Sequence, residues 1–278
     1  MDSVTVWLQG GLGNQLFQMN AAEVSSSAAS IPLIVSRSSF LRDRLRTFAA
    51  KPVVRREVLA SLPQELAIGW PYDRTGNIRA RIGRYSLLLR DKANEVTAGS
   101  LLLGFFQEET DLARTTDGLV SRLRDVRSRL IEDNVARAVR GRPVIHVRRG
   151  DYAVNPAAIQ AFGAIHPDYY LTALEAAGVR LADTVFFTDD PAYVIDTFGV
   201  DPNQVRGPRA GTDLHELLLM SLGSTLVIPN STFSWWAAEI AGAAATTFAP
   251  ERWFADGRNS RTLARSSWNL LPIDSRRG

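Results

Sequence analysis

The sequence predicts an α/β protein built as two Rossmann-like lobes, and three observations predict it. Short strand-like runs alternate with segments of helical apolar spacing, as parallel sheets with covering helices require. A strand, a glycine turn and a helix open the chain, and a second strand–helix series opens at Pro143. The 278 residues, 45% of them hydrophobic and 22% charged, suffice for two lobes with cores of their own.

Val4-Thr5-Val6-Trp7-Leu8 reads as the first strand and Gly10, Gly11 and Gly13 as the turn. Asn14 to Ala29 reads as a helix with an apolar surface of Leu16, Phe17, Met19, Ala21, Val24 and Ala28. Ile31 to Val35 is the next strand, completing a βαβ beginning. Residues 36–100 are rich in arginine and broken by Pro52, Pro63 and Pro71, and no architecture is assigned there. The lobe boundary is placed near 135 to 142, giving an N-terminal lobe of 1–138 and a C-terminal lobe of 139–278. In the second lobe Val144 to Val147, Thr184 to Thr188 and Leu226 to Ile228 read as strands. Pro167 to Ala177, Asp213 to Leu222 and Ser231 to Ala245 read as helices, the first marked by proline in its opening turn and by Gly178 at its C-terminal cap.

Composition removes several classes of function. Without cysteine there is neither a disulfide framework nor a thiolate metal site, and His146, His166 and His215 stand too far apart in sequence to form a recognisable ligand cluster. The formal net charge of +3 does not announce nucleic acid, despite a pI of about 9.5. The densest basic stretch, Arg122 to Arg142, carries seven arginines among Asp125, Glu132 and Asp133. Leu123, Val126, Leu130 and Ile131 recur there at helical spacing, so it reads as a solvated helix face, the alternative being peripheral contact with an anionic membrane surface or an acidic acceptor. The start Met1-Asp2-Ser3-Val4 lacks the regions of a secretory signal, and no apolar run reaches the roughly 18–20 residues of a membrane span, so a cytoplasmic protein is expected.

Four stretches carry chemistry. Pro143-Val144-Ile145 leads into His146-Val147-Arg148-Arg149-Gly150-Asp151-Tyr152. Two arginines at the end of a buried strand need an anion, and their planar forks suit a diphosphate; an ion-pair network with Asp151 or another carboxylate is the alternative. Because alternate strand residues face opposite ways, one arginine is expected to meet the ligand and the other to brace the loop. Gly10 to Gln15 is a glycine turn entering a helix, which can present backbone N–H groups to an anion or be a tight turn only. Phe186-Phe187-Thr188-Asp189-Asp190-Pro191 sets two acids after an apolar strand, where they could accept from guanine, hold Mg²⁺ or cap a helix. In Asn230 to Trp236, Ser231, Thr232 and Ser234 can cap a helix or donate to phosphate, while Trp235 and Trp236 read as core.

Together, in this order, the four stretches resemble the α-1,2-fucosyltransferase family, glycosyltransferase family 11, in its bacterial type, over roughly positions 4 to 270. The resemblance implies a GT-B-like fold with the donor site in the C-terminal lobe and donor and acceptor meeting between lobes. It implies inverting transfer of L-fucose from GDP-β-L-fucose to a glycan hydroxyl, O2 of a terminal galactose, in an α-1,2 linkage, with no cofactor and no metal. On that reading Arg148, then Arg149, hold the diphosphate, and Asp190 with Asp189 reads guanine. Gly11, Asn14, His146, Ser231, Thr232, Phe233 and Ser234 complete the substrate contacts. A base near the acceptor would be Asp151, His166, His215 or Glu216, and Asp151 is taken as the candidate. Rival readings are a fucosyltransferase of another linkage or acceptor, and a glycan- or nucleotide-binding relative without turnover.

Overall fold

The computed structural model describes residues 3–8, 10–36, 72–73, 87–90, 95–107, 116–150, 165–207, 213–254 and 263–273. The chain divides into two compact units, Met1–Arg122 and Leu123–Gly278. This division lies earlier than the boundary read from the sequence, because the arginine-rich helix already belongs to the second unit from Leu123 onward. Leu123 is fully buried, Arg124 Nε donates to the Ile240 carbonyl at 2.8 Å, and Arg127 Nη1 donates to Ser221 Oγ at 2.8 Å.

The first unit is built on a parallel sheet of five strands, in the order β3-β2-β1-β5-β4. They are β1 (Val4–Trp7), β2 (Leu33–Ser36), β3 (Tyr72–Asp73), β4 (Leu87–Arg90) and β5 (Ser100–Leu103). All of β1 is buried, including Thr5, so both of its faces are covered and no exposed polar face alternates with a buried one. Helix α1 (Leu12–Ala29) starts two positions before the expected Asn14. Gly10 takes the left-handed conformation of the turn, at φ +78°, Gly11 is the extended N-cap, and Gly13 is already helical. The chain runs from β1 outward to β3 and then places β5 on the other side of β1, so the strand order reverses between β1 and β5.

The second unit has a parallel sheet of six strands, ordered β11-β10-β9-β6-β7-β8. They are β6 (Pro143–Val147), β7 (Val185–Thr188), β8 (Val205–Arg206), β9 (Thr225–Val227), β10 (Thr246–Pro250) and β11 (Asn269–Leu271). Starting centrally at β6, the chain proceeds to the edge at β8 and returns to the other side of β6 with β9. That is the doubly wound order, with its reversal between β6 and β9.

The helices of this unit are α3 (Asp133–Arg137), α4 (Pro167–Ala177), α5 (Pro191–Phe198), α6 (Asp213–Met220) and α7 (Thr232–Ala241), preceded by α2 (Asp117–Leu130), inside which the two units divide. Ile145 and Val147 of β6 pack in one core with Tyr169, Tyr170 and Leu174 of α4 and Val194 and Phe198 of α5. His146, between them in sequence, turns to the opposite face and meets Phe233 of α7. The expected boundaries of α4 are met at both ends, with Gly178 in the left-handed region at φ 65°. By contrast, the helix expected to reach Ala245 stops at Ala241, where Gly242 takes φ 58° and the β-branched pair Thr246 and Thr247 then opens β10.

Much of the basic stretch is occupied internally. Arg122 pairs with Glu23 in the first unit. In the second, Arg142 Nε donates to the Asp183 carbonyl at 3.0 Å and its Nη1 to the Ala138 carbonyl at 3.1 Å. Among the described residues, no helix is long and apolar enough to cross a membrane.

Packing at the start of the central strand yields a test. A Cβ on Gly223 would lie 2.7 Å from Val144 Cγ2 and 3.2 Å from the Arg142 carbonyl, whereas one on Gly118 would meet none of the described residues within 4 Å. Gly223→Ala is expected to destabilise by about 1–3 kcal/mol through overpacking. Gly118→Ala, in the first turn of α2, is expected to leave the melting temperature unchanged or raise it. Thermal melts of the two variants side by side check both directions.

Candidate functional site

Parallel pairing brings the charged residues together. In β6 and β7 the register sets Val147 beside Thr188, so the next residues out of the sheet are Arg148 beside Asp189 and Arg149 beside Asp190. The side chains follow that pairing. Arg148 Nη1 donates to Asp189 Oδ2, and Arg149 Nε lies 3.5 Å from Asp190 Oδ2. The Arg149 backbone N–H donates to Asp189 Oδ1 at 2.8 Å. Hence the two arginines sit in an ion-pair network, with the carboxylates supplied by the neighbouring strand.

Each partner has a second task. Asp190 caps α5, accepting from the Tyr193 N–H at 3.1 Å, while its own N–H donates to Thr188 Oγ1 at 3.0 Å. The Arg149 guanidinium lies over the Tyr193 ring, 3.7 Å from its centroid, which restricts it further. The two arginines are about equally exposed, 37% for Arg148 and 35% for Arg149, and they differ in that Arg149 alone of the two lies against the Tyr193 ring. Capping, one of the readings open for Asp190, is what its Oδ1 does.

His146 lies beneath this quartet on β6 and is buried. Burial pushes its imidazole down to about 3, with the Asp189 charge opposing and the Arg148 charge adding to the shift. It is neutral at physiological pH. Its ring lies 5.7 Å from that of Phe233, and Nδ1 has no hydrogen-bond partner among the described residues.

Across the reversal point, β9 leads through Ile228, Pro229 and Asn230 to the start of α7. Asn230 Nδ2 donates to the Trp253 carbonyl at 3.1 Å and Tyr169 Oη to the Ile228 carbonyl at 2.7 Å, which ties this loop to the core. Ser231 is the N-cap of α7 and makes no side-chain capping bond. Ser234 is fully buried, and its hydroxyl donates back to the Ser231 carbonyl at 3.3 Å, whereas Thr232 and Phe233 are half-buried. Trp235 and Trp236 are core as expected, both fully buried.

In the first unit the motif at Gly10 also stands at a reversal point. Gly11 is the exposed N-cap of α1, and Asn14 Oδ1 accepts from Gln107 Nε2 at 2.9 Å, joining the segment after β1 to the segment after β5. Gln15 Nε2 donates to the Gly10 carbonyl at 2.8 Å and holds the turn.

Three of the base candidates, His166, His215 and Glu216, have partners outside this quartet. Asp151 lies outside the described residues. His166 is the N-cap of α4, accepting from the Asp168 N–H at 3.3 Å. Glu216 is held by Arg206 at 3.1 and 3.2 Å, with His215 Nδ1 3.8 Å away. Sequence reading had passed over Tyr193 and Gln107. Tyr193 could have been found from its place in the first turn of a helix after the acid pair, but Gln107 meets Asn14 only through the sheet order.

His146 generates a pH prediction. Because its folded value lies below the ordinary 6.5, an unfolded chain takes up a proton that the folded one refuses. That contribution to stability is present above the unfolded value and is lost as pH falls from about 6.5 toward 3. Between about pH 7 and pH 5 the wild-type melting temperature should fall more steeply than that of His146→Gln. Equal slopes in parallel melts would contradict the assignment.

Among known proteins, the chain is 28% identical to the O-antigen biosynthesis glycosyltransferase WbnK of Escherichia coli, over 94% of this chain and 98% of that one. It is 27% identical to an α-1,2-colitosyltransferase of Escherichia coli, over 91% of this chain and 93% of that one. Among solved structures it is similar to a mutant of Arabidopsis thaliana FUT1 in complex with GDP, at a TM-score of 0.48 and 13% identity, over 90% of this chain and 70% of that one. Residues 95–271, which include the arginine pair, the acid pair and the start of α7, match the family model of glycosyl transferase family 11, and with more than half of its length so matched the chain belongs to that family.

Proposed function

We propose that this glycosyltransferase moves L-fucose from GDP-β-L-fucose to O2 of a terminal galactose on a glycan, inverting the donor to an α-1,2 linkage. The observation that carries the reading is the placement of Arg148 and the start of α7 on the two sides of the reversal point in the C-terminal sheet, inside the segment matched to the family. Ligands of open parallel sheets bind at the carboxyl ends of the strands at such a point. A guanidinium and a helix N-terminus converging there form a site for a diphosphate.

The roles follow from the chemistry. The acceptor oxygen attacks C1 of the sugar from the side opposite the diphosphate, the C1–O bond to phosphate breaks, and the hydroxyl proton leaves as the new glycosidic bond forms. Charge grows on the departing phosphate, and Arg148, Arg149 and the Ser231–Thr232 end of α7 meet it with donors already in place. Asp190, whose Oδ1 caps α5 and whose Oδ2 is paired with Arg149 only at 3.5 Å, accepts from guanine through that more loosely held oxygen. Asn14, whose side chain accepts from Gln107 in the first unit, keeps the substrate-binding role that its motif suggests. Asp151 remains the base candidate from its motif.

One relative acts with colitose, which is fucose without its 3-hydroxyl, so a GDP-linked 3-deoxy donor is the second reading. Purified protein offered GDP-fucose and GDP-colitose separately, with galactose-ended oligosaccharides and linkage analysis of the product, decides between them. The proposed reading expects an α-1,2-fucosylated galactoside, formed also in EDTA because arginines neutralise the leaving group; loss of turnover in EDTA and recovery with Mg²⁺ would overturn the metal-free part. Arg148→Lys keeps the charge and loses the fork, so kcat at saturating donor is expected to fall by roughly a hundredfold, near the cost of one lost transition-state donor. Near-wild-type turnover in a variant with an unchanged melting temperature would move the diphosphate to other residues.

A further inference from the structure

We propose that Asp189 is the positioning residue of the donor site: it sets the Arg148 fork and the Arg149–Gly150 backbone in place for a diphosphate and does not read the base. The inference rests on the proposed GDP-linked donor and deepens it.

Both carboxylate oxygens of Asp189 are already assigned. Oδ2 accepts from Arg148 Nη1, and Oδ1 accepts from the Arg149 N–H at 2.8 Å. A carboxylate reading guanine needs both oxygens on one edge, for the N1–H and the amino group, and here that edge faces protein donors. Asp190 also meets protein on both oxygens, but more loosely: Oδ1 accepts from the Tyr193 N–H at 3.1 Å, Oδ2 stands 3.5 Å from Arg149 Nε, beyond ordinary hydrogen-bond length, and its side chain is 40% exposed against 19% for Asp189.

Arg148 is left useful by this arrangement. Among the described residues Nη1 is its bonded nitrogen, and neither Nε nor Nη2 makes a hydrogen bond, so one edge of the fork is held and another remains for an anion. Gly150 closes the clamp. A Cβ there would lie 2.6 Å from Asp189 Oδ2, 2.8 Å from Arg148 Cζ and 2.9 Å from Nη2, so a side chain at this position would push the pair apart. The carboxylate weakens the net pull of Arg148 on phosphate, and in exchange the guanidinium is oriented before the ligand arrives.

The test compares binding of GDP and inosine diphosphate by calorimetry, since inosine lacks the 2-amino group that a base-reading carboxylate accepts. Asp189→Asn keeps the shape and an oxygen for the Arg149 N–H but loses the charge. It is expected to weaken both nucleotides alike, on the order of ten- to a hundredfold as for loss of an orienting partner behind a metal ligand, with kcat falling and the GDP preference unchanged. Gly150→Ala should behave the same way. Asp190→Asn should instead collapse the preference. In the double variant Arg148→Lys with Asp189→Asn, the losses should fall short of the product of the single losses, because one residue acts through the other.

A reduced GDP preference in Asp189→Asn would make Asp189 a reader and overturn the proposal. Full multiplicativity with Arg148→Lys would overturn it, as would wild-type binding and turnover in Asp189→Asn. If the wild type binds no GDP, it is the donor reading that has failed. Inorganic pyrophosphate then serves as the probe: weaker binding by Asp189→Asn supports the clamp, and unchanged binding refutes it. Thermal melts accompany every variant, so that unfolding is not read as lost affinity.

Discussion

The register of β6 against β7 is the constraint on which the candidate site depends. With Val147 level with Thr188, the next two positions pair each arginine with an acid, and no longer-range folding of loops is needed to bring the four charges together. A slip of one residue would break both pairings, moving His146 to the wrong face and Ile145 out of the core it shares with α4 and α5. Register here is enforced by buried apolar surface on both faces of the strand, so the hydrophobic core and the charged site are specified by the same alignment.

Parallel topology does the rest within each unit. Strands that all run one way open all their C-terminal ends onto one edge, and a reversal in strand order leaves a gap there between the diverging connections. In the second unit that gap lies between β6 and β9, where the arginine loop meets the start of α7, and the contact of His146 with Phe233 shows the two sides touching. In the first unit the reversal is between β1 and β5, and the Asn14–Gln107 hydrogen bond spans it. Each motif recognised as chemistry in the sequence thus has a topological reason for where it stands.

What could be read from the sequence is what local physics decides. Helix α4 was legible at both ends because Pro167 suits a first turn and Gly178 a left-handed cap, and the paired tryptophans were legible as core because their size leaves few other places. The two-lobed α/β class followed from alternation of elements. Less was legible where partners decide. Strands β10 and β11 are short and acquire their identity from pairing with β9 and each other. That Asp189 serves Arg148 whereas Asp190 caps α5 could not be told from two adjacent, chemically identical side chains, since the difference arises from the register of a strand about forty residues away.

The pairing of two arginines with two aspartates also bears on how such a site tolerates itself when empty. Two guanidiniums at a strand end cannot lose their protons, and without counter-ions they would repel each other and resist the approach of the loops. Asp189 and Asp190 offset that charge, and Tyr193 covers Arg149 with a ring rather than with a third acid. Arg148 is left with an exposed edge, held in direction but not fully matched. An anion arriving there meets a fixed donor array whose ordering was completed by folding, so its recognition depends more on the geometry of the array than on the net charge of the protein.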